Sequence, residues 1–89
     1  MPVNRDYETI CSEVARLLKQ AREAQEISLN ALSERAGLSR QTITFIEQEL
    51  RNPTLETLLR ITSALEIDLE EIIAQARKNS RRGIEKSNK

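Results

Sequence analysis

The chain has 89 residues, enough for one small domain, and its core must be aliphatic because aromatic residues make up only 2% of the sequence. One cysteine and no histidine exclude a disulfide within the chain and the usual zinc sites, and no cofactor is indicated. No apolar run approaches a membrane span and no signal peptide is visible, so we expect a cytoplasmic protein without membrane contacts.

The formal net charge is zero, but the charges are unevenly distributed. Residues 77–89 contain six basic residues and one acidic residue, a net charge of +5, whereas residues 1–76 contain eight basic and thirteen acidic residues, a net charge of −5. From about Asn79 the apolar periodicity is lost. We therefore expect a folded domain over residues 1–78 and a basic, disordered tail over residues 79–89.

Five segments repeat apolar residues at intervals of three and four, a spacing that is typical of amphipathic helices. The first segment extends to about Ala24, and the fourth and fifth begin after Thr54 and Asp68. The apolar face of the first segment consists of Ile10, Val14, Leu17, Leu18 and Ala21. Cys11 borders this face, and we expect it to be a small buried residue and not a reactive thiol.

Residues 28–48 contain two short helical patterns that meet at Gly37. Their apolar faces consist of Leu29, Leu32 and Ala36 in the first helix and Ile43 and Ile46 in the second. Ser28 and Ser39 stand at N-cap positions, and Gly37 suits the left-handed residue that ends a helix. A helix, a tight turn and a second helix form the pattern of a helix-turn-helix, whose second helix enters the DNA major groove.

This stretch resembles the helix-turn-helix of the phage-repressor-like (XRE-type) transcriptional regulators. Residues 16–22 are similar to the first helix of that family, and residues 51–58 are similar to the start of its fourth helix. The resemblance covers roughly residues 9–76. It implies an all-α, five-helix, lambda-repressor-like DNA-binding domain in a bacterial or phage-derived protein associated with the nucleoid.

The resemblance implies that four residues of the third helix contact base edges: Arg40, Gln41, Thr44 and Phe45. Arg40 can donate two hydrogen bonds to guanine, Gln41 can pair with adenine, and Phe45 can contact the thymine methyl group. For Arg40 and Gln41 the alternative is an ordinary solvated helix face. For Phe45 the alternative is packing in a dimer interface or under the loop at Leu50.

A second predicted group contacts DNA phosphates and consists of Ser28, Asn30, Ser39, Gln48, Arg51 and Asn52. The first three lie at helix N-termini, where free backbone N–H groups attract anions. The last three resemble the phosphate-contacting loop of the family. The basic tail either follows the phosphate backbone or a minor groove, or is only a solubilising end.

The resemblance also implies an ion pair between Arg22 and Glu47, which would link the end of the first helix to the end of the third. This pair would orient the third helix and would not contact bases. Glu49 and Glu66 differ from the family pattern, because they stand where a glycine often follows the third and fourth helices.

The fourth and fifth helices carry more apolar residues than one side of a small bundle requires. We expect Leu69, Ile72 and Ile73 to form a dimer interface, and the alternative is that all of them belong to the core.

The implied function is a sequence-specific transcriptional regulator, a repressor or controller, that binds a palindromic operator in double-stranded DNA as a homodimer. The alternative is an antitoxin-type protein that neutralises a partner protein and regulates its own operon. Nothing in the sequence supports an enzyme.

Overall fold

The computed structural model describes residues 6–87, and side chains are described for residues 7–81. Over that range the chain forms five α-helices, namely α1 (Asp6–Ala24), α2 (Leu29–Ala36), α3 (Arg40–Glu47), α4 (Leu55–Ala64) and α5 (Leu69–Ser87). The described residues contain no β-strand, so the predicted all-α, five-helix fold is confirmed. None of the helices within this range combines the length and the hydropathy needed to cross a membrane.

One aliphatic core holds the helices together. The two long helices, α1 and α5, pack against each other, and α2 packs against both α3 and α4. The buried cluster between them consists of Val14, Leu18, Ile27, Leu32, Ile43, Ile46, Ile61, Leu65 and Ala76. Each buried leucine or isoleucine contributes about 1.5–3 kcal/mol, so this cluster fixes α2 and α3 against the rest of the bundle. Cys11 is exposed, contrary to our expectation, because it lies outside the buried face of α1.

Hydroxyl side chains fix the starts of the three short helices. The Oγ atoms of Ser28 and Ser39 accept hydrogen bonds at 3.0 Å from the backbone N–H groups of Ala31 and Thr42. Thr54 caps α4 in the same way, with an Oγ1 to N distance of 3.1 Å. Each cap satisfies a donor that has no carbonyl partner within its own helix. These three caps stand where the sequence places them.

Left-handed residues follow four of the helices. Gly37 ends α2 with φ of 68°, and Glu26, Glu49 and Glu66 follow α1, α3 and α4 with φ of 57°, 60° and 57°. A side chain in this conformation costs about 1–2 kcal/mol, a cost that glycine avoids. A Cβ atom at Gly37 would lie 3.1 Å from Nη1 of Arg60, so the end of that flexible side chain would have to shift slightly.

Helix α5 extends beyond the predicted domain boundary at residue 78 and continues to Ser87. Asn79 donates a hydrogen bond from Nδ2 to Oε1 of Glu13 at 2.9 Å, and Ser80 is buried. Asn79 therefore contacts α1 as part of α5, and the division of the chain into a domain and a disordered tail stays a prediction. The side chains of residues 82–89 lie outside the described part of the chain, as does the backbone of residues 88–89.

The predicted dimer residues belong largely to the core of the chain itself. Leu69 is buried, and Ile72 and Ile73 are half-buried and pack against the core cluster. Leu69 attaches the start of α5 to the bundle, and the assignment of these three residues to a dimer interface stays a prediction. Among the described side chains of α4 and α5, the exposed large apolar residues are Leu55 and Leu59, both on α4.

Candidate nucleic-acid interface

The first turn of α3 is rigidly capped, and its polar side chains face solvent. Ser39 accepts from the N–H of Thr42, and its Oγ also lies 2.8 Å from Oγ1 of Thr42. Arg40 and Gln41 follow directly and are both exposed. Because the helix begins here, their backbone N–H groups have no carbonyl partner within the helix and are available to an anion. This end of α3 therefore offers two long polar side chains and a partial positive charge.

The start of α2 has a similar construction. Ser28 caps the helix, and both Ser28 and Asn30 are exposed. The backbone carbonyl of Asn30 accepts a hydrogen bond from Oγ of Ser33 at 2.7 Å, which directs that buried hydroxyl inward. Exposed polar groups thus mark the N-termini of both helices of the motif.

Phe45 and Thr44 differ from Arg40 and Gln41, because both are half-buried. The guanidinium carbon of Arg51 lies 5.4 Å from the centre of the Phe45 ring, within the range of a cation–π contact. The backbone also joins the two segments, since the N–H of Leu50 donates to the carbonyl of Phe45 at 2.8 Å. The structure therefore favours packing of Phe45 under the following loop, the alternative weighed above, with part of the ring still accessible.

The segment after α3 presents the remaining predicted phosphate contacts. Gln48, Arg51 and Asn52 are all exposed. Glu49 stands between them in the left-handed conformation, and it is exposed as well. The stacking of Arg51 on Phe45 restricts where its guanidinium can lie, so this cation is partly preorganised beside α3.

The predicted ion pair between Arg22 and Glu47 is present and is the most enclosed of the salt bridges described. Arg22 donates from Nε to Oε2 of Glu47 at 2.7 Å and from Nη2 to Oε1 at 3.0 Å. Its Nη1 also donates to the carbonyl of Ile27 at 2.8 Å. The side chains are only 12% and 8% exposed. The hydrogen bonds to Glu47 raise the pKa of Arg22 above its ordinary value, so the cation is held firmly.

The hydrogen bonds of Arg22 connect three segments of the chain. Arg22 lies near the end of α1, Ile27 lies in the connection to α2, and Glu47 is the last residue of α3. A bidentate arginine–carboxylate pair has a fixed planar geometry, so it sets both the distance and the direction between the helices. Arg40 and Gln41 lie at the other end of α3, a helix that this contact and the buried Ile43 and Ile46 hold against the bundle.

Two positioning side chains were missed by the sequence analysis. Gln25 donates from Nε2 to the carbonyl of Leu65 at 2.8 Å, which ties the end of α1 to the end of α4. Arg60 donates from Nη1 to the carbonyl of Ala36 at 3.4 Å and so contacts the end of α2. No local signal in the sequence marks either contact.

Similarity to known proteins identifies the family of this chain. A helix-turn-helix family matches residues 18–72 of the chain. An HTH-type transcriptional regulatory protein of Methanocaldococcus jannaschii is 39% identical over 54 residues, which are 61% of this chain and 17% of that protein. An HTH-type transcriptional regulator of Mycobacterium tuberculosis is 30% identical over 59 residues, which are 66% of this chain and 42% of that protein. The matched segment thus spans less than half of either relative.

Among solved structures, the chain is similar to the master regulator for biofilm formation SinR, whose crystal structure was determined in complex with DNA. The TM-score is 0.64 and the sequence identity is 26%, over 67% of this chain and 97% of that chain. The family match covers more than half of the chain and includes both helices of the motif. The chain therefore belongs to the helix-turn-helix family of phage-repressor-like (XRE-type) transcriptional regulators.

Proposed function

We propose that the chain is a repressor or controller that binds a palindromic operator sequence-specifically as a homodimer. The observation that carries this proposal is the exposure of Arg40 and Gln41 on the capped first turn of α3. A buried ion pair holds that helix in place. The DNA complex of SinR supports binding of double-stranded DNA through this fold.

In this proposal Arg40 and Gln41 contact base edges in the major groove. The fork of an arginine matches O6 and N7 of guanine, and the amide of a glutamine matches N6 and N7 of adenine. Thr44 and the accessible edge of Phe45 supply contacts to thymine methyl groups. Two such helices, related by a two-fold axis, enter successive major grooves about 34 Å apart.

Six exposed residues fix the register on the phosphate backbone, namely Ser28, Asn30, Ser39, Gln48, Arg51 and Asn52. The two helix N-termini provide backbone N–H groups, and Arg51 provides the full positive charge. Glu49 is exposed two residues before Arg51, and its negative charge weakens the attraction to DNA phosphates. We therefore expect a moderate affinity for DNA that depends strongly on base contacts.

The test is selection of bound sequences from a random double-stranded DNA library with the wild type and with Arg40→Ala. The wild type should enrich a palindrome. Arg40→Ala should lose preference at one symmetric position, at a cost of about 1–3 kcal/mol. A wild type that enriches no sequence would contradict the proposal, and an equal loss on all sequences would assign Arg40 to a phosphate.

Arg51→Ala provides the comparison for a phosphate contact. It should weaken binding to every sequence and reduce the slope of log affinity against log salt by about 1. Arg16→Ala removes an exposed cation from α1, away from the motif, and serves as the control for the loss of one charge. The same salt slope for Arg51→Ala and Arg16→Ala would remove Arg51 from the interface.

A further inference from the structure

Helix α4 exposes two large apolar side chains on one face. Leu55 is 65% exposed and Leu59 is 48% exposed. They are four residues apart, so they lie next to each other on the helix surface. Their neighbours Leu58 and Thr62 turn inward, and the pair therefore forms an apolar edge that the described chain does not cover.

A pair of opposite charges runs beside this edge. Glu56 and Arg60 follow Leu55 and Leu59 by one residue each, and Nη2 of Arg60 lies 2.9 Å from Oε2 of Glu56. Both side chains are well exposed. We call the four residues Leu55, Glu56, Leu59 and Arg60 the α4 face. It carries an apolar pair and a charge pair with the same spacing.

This arrangement is self-complementary under two-fold rotation. In a two-fold interface, residue i of one subunit contacts residue j of the other, and j contacts i in return. An axis near residue 57 or 58 brings Leu55 of one copy to Leu59 of the other, and Glu56 to Arg60. The leucine contact places the axis at residue 57, and the charge contact places it at residue 58. These two positions are about 1.5 Å apart along the helix.

The surface beside Leu59 is a shallow groove that is wide open to solvent. Leu59, Arg60 and Ser63 of α4 line an open groove of about 500 Å³ together with Arg35 of α2. Leu55, the most exposed apolar residue described, lies one helical turn before Leu59. In the two-fold arrangement the Leu55 side chain of each copy projects toward the groove of the other.

We propose that the α4 face is the contact with a second copy of this chain across a two-fold axis. This inference rests on the proposed homodimer and locates it on α4, replacing the residues of α5 that the sequence suggested. Two leucines per subunit are a small interface compared with the roughly 800 Å² per partner of stable complexes. The dimer is therefore weak in free solution and is strengthened when both subunits bind one operator.

The test uses charge reversal and sedimentation equilibrium without DNA, at protein concentrations up to about 1 mM, the range in which weak linked contacts are populated. The wild type should dimerise in a concentration-dependent manner. Glu56→Arg alone places like charges opposite each other, as does Arg60→Glu alone, and each should weaken dimerisation about tenfold or more. An equimolar mixture of the two variants should dimerise like the wild type, because every contact then joins opposite charges.

Arg16→Glu is the matched control. Arg16 is 48% exposed, against 47% for Arg60, and each is paired with a glutamate that precedes it by about one helical turn. This variant should dimerise like the wild type. Restoration in the mixture also shows that both α4 variants are folded. A monomeric wild type at the highest concentration, or variants that dimerise normally, would overturn the proposal.

A DNA measurement separates this inference from the proposed function. Binding to a half-site should be unchanged by Glu56→Arg, while the cooperativity on a full palindrome should fall about tenfold. Loss of cooperativity supports the α4 face. Intact cooperativity in this variant would refute the α4 face and leave sequence-specific binding standing. A wild type that binds no DNA would refute the proposed function, and the DNA-free dimerisation would still decide the α4 face.

Discussion

The helix-turn-helix region, residues 28–48, and the contact between α1 and α5 are held by different kinds of interaction. In the first region, caps act over three residues, and one enclosed ion pair ties α3 to α1. In the second, Glu13 of α1 and Asn79 of α5 are joined across 66 residues of sequence by a single hydrogen bond. The region that presents the proposed interface thus combines local caps with an ion pair across 25 residues of sequence, whereas the contact between the supporting helices joins segments that are much farther apart in sequence.

The ion pairs of the two regions show what this difference means for stability. Arg22–Glu47 is enclosed and bidentate, and Arg16–Glu13 lies on the outside of α1. Removing one partner of an enclosed pair leaves the other charge without hydrogen bonds, whereas an exposed pair is replaced by water. We therefore expect mutations to be far more costly at the base of the helix-turn-helix than along the outer face of α1.

Arg22→Ala should have the largest effect of the changes considered. It removes both hydrogen bonds to Glu47 and the one to Ile27, and should lower the free energy of unfolding by about 3–5 kcal/mol, measured by urea denaturation. Arg16→Ala, the matched arginine on the same helix, should leave the denaturation midpoint close to that of the wild type. Equal midpoints for the two variants would show that burial does not separate these pairs.

The turns of the two regions provide a second comparison. Gly37→Ala, between α2 and α3, should destabilise the chain by about 1–2 kcal/mol, because φ is positive and the new Cβ atom meets Arg60. Glu66→Gly, between α4 and α5, should stabilise it by roughly 0.5–1 kcal/mol, because the same left-handed conformation is relieved of its side chain. Thermal unfolding should therefore show midpoint shifts of opposite sign. A loss of stability in Glu66→Gly would mean that its side chain makes a compensating contact.

The same contrast explains how much could be predicted from the sequence. The caps at Ser28 and Ser39 and the turn at Gly37 are encoded within a few residues, and the structure confirms all three. The ion pair of Arg22 came from the family resemblance. The roles of Arg40, Gln41 and the other proposed DNA contacts stay predictions.

The features that the sequence analysis missed depend on packing between distant segments. The contact of Asn79 with α1 and the burial of Ser80 depend on how α5 packs, which apolar periodicity cannot show. From the sequence, Leu69 counted among the apolar residues that exceed the needs of the core, because its burial depends on the path of the chain after α4. The contact of Arg60 with the end of α2 likewise joins residues 24 apart in sequence.

Ser80 and Asn79 test the contact between α1 and α5 directly. The hydroxyl of Ser80 is buried and has no hydrogen-bond partner among the described residues. Ser80→Ala should therefore stabilise the chain by about 1 kcal/mol, because no desolvated polar group is left. Asn79→Ala removes the bond to Glu13 and should destabilise it by about 0.5–1 kcal/mol in the same urea assay. Destabilisation by Ser80→Ala would show that this hydroxyl is satisfied after all.

The smallest expected effect is the dependence of the outer α1 contact on pH. The hydrogen bond from Arg16, together with that from Asn79, lowers the pKa of Glu13 below its ordinary value despite partial burial. A carboxyl group with a lower pKa in the folded state stabilises the fold above its unfolded pKa, about 4.3, and loses that contribution as the pH falls through the folded value.

Glu13→Gln should therefore reduce stability by about 0.5 kcal/mol or less at neutral pH, and the difference from the wild type should vanish once the pH falls below the lowered pKa of Glu13 in the folded state. The measurement is urea denaturation of both proteins across this pH range. Repeating the pair in an Arg16→Ala background should remove most of the pH dependence, because Arg16 is the main cause of the lowered pKa. A pH dependence that persists without Arg16 would assign the shift to Asn79 and make the contact with α5 the stronger of the two.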